Sequence, residues 1–157
     1  MEMIRLAQIN DIDSILKLLD EIREVHHKIR PDLFKSSGCK YNKEELIEII
    51  NNPLTPIFVY IINNELVAYA MNVITIHKDE NAMCDFKTLY LDDLCVENNY
   101  RGKNIGHELF EYVKNYAKEI GCHNLTLNVW AGNDKAIKFY ESLGLKTQKT
   151  TMEMILK

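Results

Sequence analysis

The sequence lacks several features that would place it quickly. No apolar run approaches the ~20 residues that span a bilayer. No charged-then-apolar signal segment opens the chain, so a cytoplasmic location is expected. Positive charge is not in excess: 19 Lys and Arg against 23 Asp and Glu leave a formal charge of −4. A nucleic-acid binder would instead show a basic stripe. The four cysteines, Cys39, Cys84, Cys95 and Cys122, include no Cys-x-x-Cys pair, and no histidine stands at zinc-ligand spacing. They read as reduced thiols, with no metal site. Repeats, low-complexity tracts and linkers are absent too.

What remains is the composition of one soluble domain: 157 residues, 46% hydrophobic and 27% charged. A chain of this size can bury about 68–70% of its unfolded surface, enough for a self-supporting core. Residues 3–7 read as a first strand, and Asn10 or Asp11 as the cap of a helix. Ile12, Ile15, Leu19, Ile22, Val25 and Ile29 recur at helical spacing, and Arg30-Pro31 ends that helix. Asn42 and Glu45 form a capping-box pattern ahead of a second helix. Strands follow at residues 57–62 and 65–76, joined by Asn63-Asn64, which suits a two-residue hairpin turn. Another strand is expected at residues 86–96, a long helix at 104–120, a strand at 124–129, a short helix at 133–143 and a last strand at 150–156. Helices covering a mixed sheet are the natural packing for this order.

The strongest chemical signal is local. A strand leads into Arg101-Gly102-Lys103-Asn104-Ile105-Gly106 and then directly into a helix. Such a loop turns several backbone N–H groups toward one point at the positive end of the helix dipole, which favours an anion. The loop fits neither the Walker A nor the dinucleotide pattern of glycines. Downstream, Asn133, Ala136, Phe139 and Tyr140 follow Asn-x-x-Ala-x-x-Phe-Tyr spacing, with Gly144 beyond. Asn133 and Tyr140 lie two helical turns apart and share a face.

Together these segments resemble the cofactor-binding half of the GNAT superfamily of N-acetyltransferases. Its signature is Gln/Arg-x-x-Gly-x-Gly/Ala after a strand, then the Asn-to-Tyr spacing above and a Gly-Phe pair. Two positions depart from it. Asn104 stands for the loop's first glycine, and Leu145 for the usual Phe. Asn is the side chain that best accepts unusual dihedrals, so the loop conformation should survive.

The resemblance implies an α/β (α+β) GNAT fold over the whole chain: a central, mostly antiparallel mixed sheet of about six to seven strands flanked by about four helices. It implies acetyl-coenzyme A as cofactor. Pantetheine would lie along Leu94, Cys95 and Val96, and the pyrophosphate on Arg101, Gly102, Lys103, Asn104, Ile105 and Gly106, with Asn133 contacting the pantetheine arm. It implies Tyr140 as general acid. The stretch Tyr90-Leu91-Asp92-Asp93-Leu94 resembles the acidic strand end of polyamine acetyltransferases, where the first acidic residue is the proposed base, here Asp92. Strand alternation would send Asp92 and Asp93 to opposite faces, leaving at most one in the groove.

A lysine-like amine must lose its proton first, at a cost near 4.6 kcal/mol at pH 7, and a carboxylate can receive it. A phenol passing its proton to a thiolate is uphill by ~1.5 pKa units unless its surroundings narrow the gap. Cys95 as a covalent nucleophile lacks any His-Asp pattern to activate it. The acceptor would be framed by the first two helices, their connection and a final hairpin, which draws in His26, His27, Arg30, Asp32, Phe34 and Tyr41, with His26, Phe34 and Asp93 as substrate contacts. A short final turn favours a small primary amine, polyamine-like, over a peptide or protein acceptor. A non-catalytic acetyl-coenzyme A-binding module is the alternative of another class. No nucleic-acid or membrane partner is expected. Homodimers are common in that superfamily, and the sequence leaves open whether this chain forms one.

Overall fold

The computed structural model describes all 157 residues. Strand β1 (Glu2–Leu6) passes through a 3-10 turn at Ile9–Asp11 into helix α1 (Ile12–Ile29). Asp11 precedes α1 but does not cap it with its side chain. Its carboxylate accepts the Gln8 N–H at 2.7 Å and the Arg5 guanidinium at 2.7 and 3.1 Å. Helix α2 (Lys43–Asn51) starts on the expected capping box: Asn42 accepts from the Glu45 N–H and Glu45 accepts from the Asn42 N–H. Strands β2 (Ile57–Ile62) and β3 (Glu65–His77) are joined by Asn63 and Asn64, at φ 48° and 68°. Both values lie in the left-handed region that this turn requires. Strand β4 (Phe86–Val96), helix α3 (Ile105–Glu119), strand β5 (Asn124–Thr126) and helix α4 (Asp134–Ser142) complete the order.

The sheet runs β1-β2-β3-β4-β5, antiparallel throughout except that β5 is parallel to β4. It is the expected mixed sheet with four α-helices, but it has five strands, not six or seven. Two expected stretches are missing from it. The strand at 124–129 stops at Thr126, and residues 150–156 form no strand at all.

Two apolar layers sandwich the sheet. Ile12, Ile15, Leu19 and Leu46 of α1 and α2 pack on Ile57, Val59, Tyr69, Met71 and Cys95. On the other face Ile105, Leu109, Phe110 and Val113 of α3 pack on Phe58, Tyr60, Ala70, Leu89 and Leu91. Strand β4 therefore changes faces along its length: Leu89 and Leu91 belong to the α3 layer, and Cys95 to the α1 layer. The cause is a β-bulge. Met71 pairs with Asp93 and Asn72 with Leu91, so Asp92 has no partner on β3. An inserted residue shifts the two-residue alternation by one and re-aims every side chain after it.

Candidate active site

The bulge corrects the expectation that Asp92 and Asp93 point apart. Both carboxylates turn to the α1 and α2 side and hold one ammonium: Lys40 Nζ lies 3.0 Å from Asp92 and 3.3 Å from Asp93. Tyr41 donates its hydroxyl to the other oxygen of Asp92 at 3.0 Å. Asp93 is only 6% exposed. Burial pushes its carboxyl up to about 6, against the pull of Lys40. Burial also works against the charge of Lys40, but Asp93 and Asp92 outweigh it and hold that ammonium above the ordinary lysine value.

Tyr69, fully buried, has its hydroxyl without a hydrogen-bond partner. Burial, then the charge of Asp93, pushes that phenol far up. Lys40 and Tyr69 were not legible as site residues. Lys40 lies in an unpatterned connection, and Tyr69 in a strand where an aromatic reads as core.

Beside this group stands an aromatic cluster. His26 and Phe34 have ring centroids 5.0 Å apart, and Trp130 meets Phe34 edge-on at 5.7 Å. Burial and nearby Lys40 lower the His26 pKa. His27 is tied to the main chain instead, with Nδ1 2.7 Å from the Phe34 carbonyl oxygen. Arg30 lies over Trp130 and pairs with Asp32 and Glu153. No final hairpin frames this region, because residues 146–157 contain no strand.

Tyr140, on α4, packs beside Phe110 and Phe139. Burial first, and then Asp93, pushes its phenol well above the usual value. The surroundings therefore widen the gap to a thiolate and do not narrow it. They keep Tyr140 protonated, as a donor must be. Cys95 faces α1, its thiol donating to the Leu18 carbonyl at 3.6 Å, and burial raises it to about 12. A thiol so placed is a poor nucleophile.

The loop ahead of α3 has the expected anion-binding form. Asn104 adopts φ 69°, the left-handed conformation that its amide side chain tolerates. Gly102 adopts φ +76°, and a Cβ there would meet nothing within 4 Å. The N–H groups of residues 102–107 have no acceptor within the chain. They sit at the positive end of a 15-residue helix, which suits a phosphate group. Gly106 serves packing instead. A Cβ there would lie 3.3 Å from Phe139 Cζ, so its absence lets α4 close on the loop. Arg101 folds back, its Nε donating to the Val96 carbonyl at 3.1 Å. Lys103 lies over the Tyr100 ring. Asn133 caps α4 by accepting the Ala136 N–H at 3.4 Å. Beyond the Tyr90 and Thr126 pair, β4 and β5 part company, and the edge of β4 from Leu91 to Val96 is unpaired on that side.

An unpaired strand edge thus runs directly into a loop of free amides. Residues 19–145 match the family model described as Acetyltransferase (GNAT) family. The chain belongs to that family. A thialysine N-epsilon-acetyltransferase of Bos taurus is 27% identical over 150 residues, covering 90% of this chain and 82% of that one. A probable glucosamine 6-phosphate N-acetyltransferase of Drosophila melanogaster is 44% identical over 54 residues. That match takes in 34% of this chain and under a quarter, 23%, of the fly protein. Among solved structures, a mutant Bacillus halodurans protein superposes with a TM-score of 0.94 at 31% identity, over 99% of each chain. No helix is long and apolar enough to cross a membrane.

Proposed function

We propose that this GNAT chain transfers an acetyl group from acetyl-coenzyme A to a primary amine of a small molecule by direct attack. One observation carries the amine assignment: the Asp92 and Asp93 carboxylates already hold a primary ammonium, that of Lys40, at 3.0 and 3.3 Å. The named acceptors of the relatives, thialysine and glucosamine 6-phosphate, are small amines too.

The fit to the cofactor rests on the six free N–H groups of residues 102–107 and on the unpaired edge of β4. Gly102, Lys103, Asn104, Ile105 and Gly106 would hold the pyrophosphate, with Arg101 at the mouth of the loop. Leu94, Cys95 and Val96 would bond the pantetheine arm through their main chain, and the free side-chain amide hydrogens of Asn133 would reach it. When bound, the cofactor supplies an activated thioester.

The residues around it move protons. Of the two carboxylates, Asp93 suits the base better. Its carboxyl, raised to about 6, is ionised at pH 7 yet far closer to a useful base than an ordinary aspartate. Asp92, fixed by Lys40 and Tyr41, orients the ammonium. His26 and Phe34 line the approach for the rest of the acceptor. Tyr140, kept protonated, donates toward the departing sulfur.

The test is Tyr140→Phe, assayed by thiol release against diamines, polyamines, aminoglycosides, amino acids and short peptides. Turnover should fall at least about tenfold, near 1.4 kcal/mol in barrier, while coenzyme A affinity holds. Unchanged turnover removes Tyr140 as the acid. Failure of the unaltered protein on every amine leaves a cofactor-binding module.

A further inference from the structure

The two carboxylates assigned to the incoming amine already hold an amine of the chain itself. Lys40 Nζ lies 3.0 Å from Asp92 and 3.3 Å from Asp93. A lysine side chain ends in a compact primary ammonium on a flexible stem, so it offers the chemistry of a small-molecule acceptor. An ion pair on an open surface would carry no such meaning. Here one partner, Asp93, is 6% exposed, and a buried carboxylate needs a cation beside it. The Lys40 side chain enters from the open side and is 42% exposed.

The segment that carries Lys40 is held by side chains and not by its backbone. No main-chain group of residues 37–41 bonds to another main-chain group. The ties are the Lys40 pair, the Tyr41 hydroxyl on Asp92 at 3.0 Å and the Cys39 thiol on the Leu16 carbonyl at 3.7 Å. A stretch without main-chain bonds opens at little cost. Lys40 can therefore leave the carboxylates while the sheet beneath stays as it is.

We propose that Lys40 is an acceptor in its own right: with acetyl-coenzyme A present and no free amine, the chain acetylates its own Lys40 Nζ. The inference rests on the acetyl-transfer reading. The step balances on residues already placed. The Lys40 ammonium gives one proton to Asp93, from which it passes to solvent. The neutral Nζ forms a bond to the acetyl carbon, and the bond from that carbon to sulfur breaks. Tyr140 gives its proton to the sulfur and is restored by the second proton that Nζ sheds. The products are an acetamide at Lys40 and the free thiol of coenzyme A. Asp93 and Asp92 hold Lys40 in its charged form, but an outside amine on the same carboxylates meets the same cost. Acetylation removes the charge, so the modified side chain no longer pairs with Asp92 and Asp93 and leaves them to an outside ammonium.

The test maps modified lysines of the full chain by mass spectrometry. Before any donor is added, trinitrobenzenesulfonate should label Lys40 more slowly than the exposed Lys149, because a paired ammonium is the poorer nucleophile. Once acetyl-coenzyme A is added without amine, the order should reverse. Lys40 should then gain one acetyl group at least about tenfold faster than Lys149. That rate should not change with protein concentration, as for a reaction within one chain. Asp93→Asn should bring Lys40 down to the rate of Lys149, and Asp92→Asn, a second variant at the less buried carboxylate, should slow it as well. Equal labelling of the two lysines before the donor is added would overturn the proposal. So would acetylation of Lys40 no faster than of Lys149, a rate that climbs with protein concentration, or an unchanged rate in both carboxylate variants. The amine panel runs in parallel. Thiol release on an outside amine with Lys40 unmodified overturns this inference and leaves the acetyl-transfer reading standing. No thiol release on any amine and no acetyl group at Lys40 remove both.

Discussion

Asp93 is where burial, charge and chemistry meet most directly. Burial raises its carboxyl to about 6, and Lys40 restrains the rise. A raised carboxyl is protonated in the fold at pH values where the unfolded chain has already lost its proton. Its contribution to stability is therefore present below the ordinary value near 4 and is lost as pH rises through about 6. Activity should move the opposite way, because the base must be ionised. The rate at saturating cofactor should rise with pH along a limb near 6. Asp93→Asn should abolish that limb and flatten the stability profile between about pH 4 and 6. Lys40→Met removes the restraint and should move the limb to higher pH. The check is a kcat/KM profile with paired urea titrations. A limb that survives in Asp93→Asn excludes Asp93 as the base.

At the scale of elements, the coupling that matters is between the anion loop and α4. Gly106 accommodates Phe139 at a distance that a Cβ would shorten to 3.3 Å. Gly106→Ala sets a crowding cost of about 1–3 kcal/mol against the roughly 1 kcal/mol that alanine gains over glycine inside a helix such as α3. Phe139→Leu should cost less when Gly106→Ala is already present, since the two changes meet at one contact. Urea unfolding of the four proteins in this cycle measures the coupling, and strictly additive losses would refute it.

Much of this architecture was legible because its causes are local. The Asn63-Asn64 turn, the Asn42 and Glu45 box and the left-handed Asn104 each follow from one residue's conformational freedom or hydrogen bonds. The bulge at Asp92 was not legible, since it is a property of two strands in register. Neither was Lys40, drawn from a connection whose path depends on what it packs against.

For the whole molecule, the two stretches that read as strands without becoming them, residues 127–129 and 150–156, have strand-favouring residues but no main-chain partner within the chain. The candidate site draws on the free amides of α3, the open edge of β4, the bulged carboxylates and Tyr140. Its proposed chemistry depends first on the amides of residues 102–107 gripping the pyrophosphate. The sharpest check is isothermal calorimetry of the unaltered protein with two donors: acetyl-coenzyme A, and S-acetylpantetheine, which has the thioester but no pyrophosphate. Binding should be at least about tenfold weaker, about 1.4 kcal/mol, for the truncated donor; equal affinity for the two would show that the amides hold no phosphate.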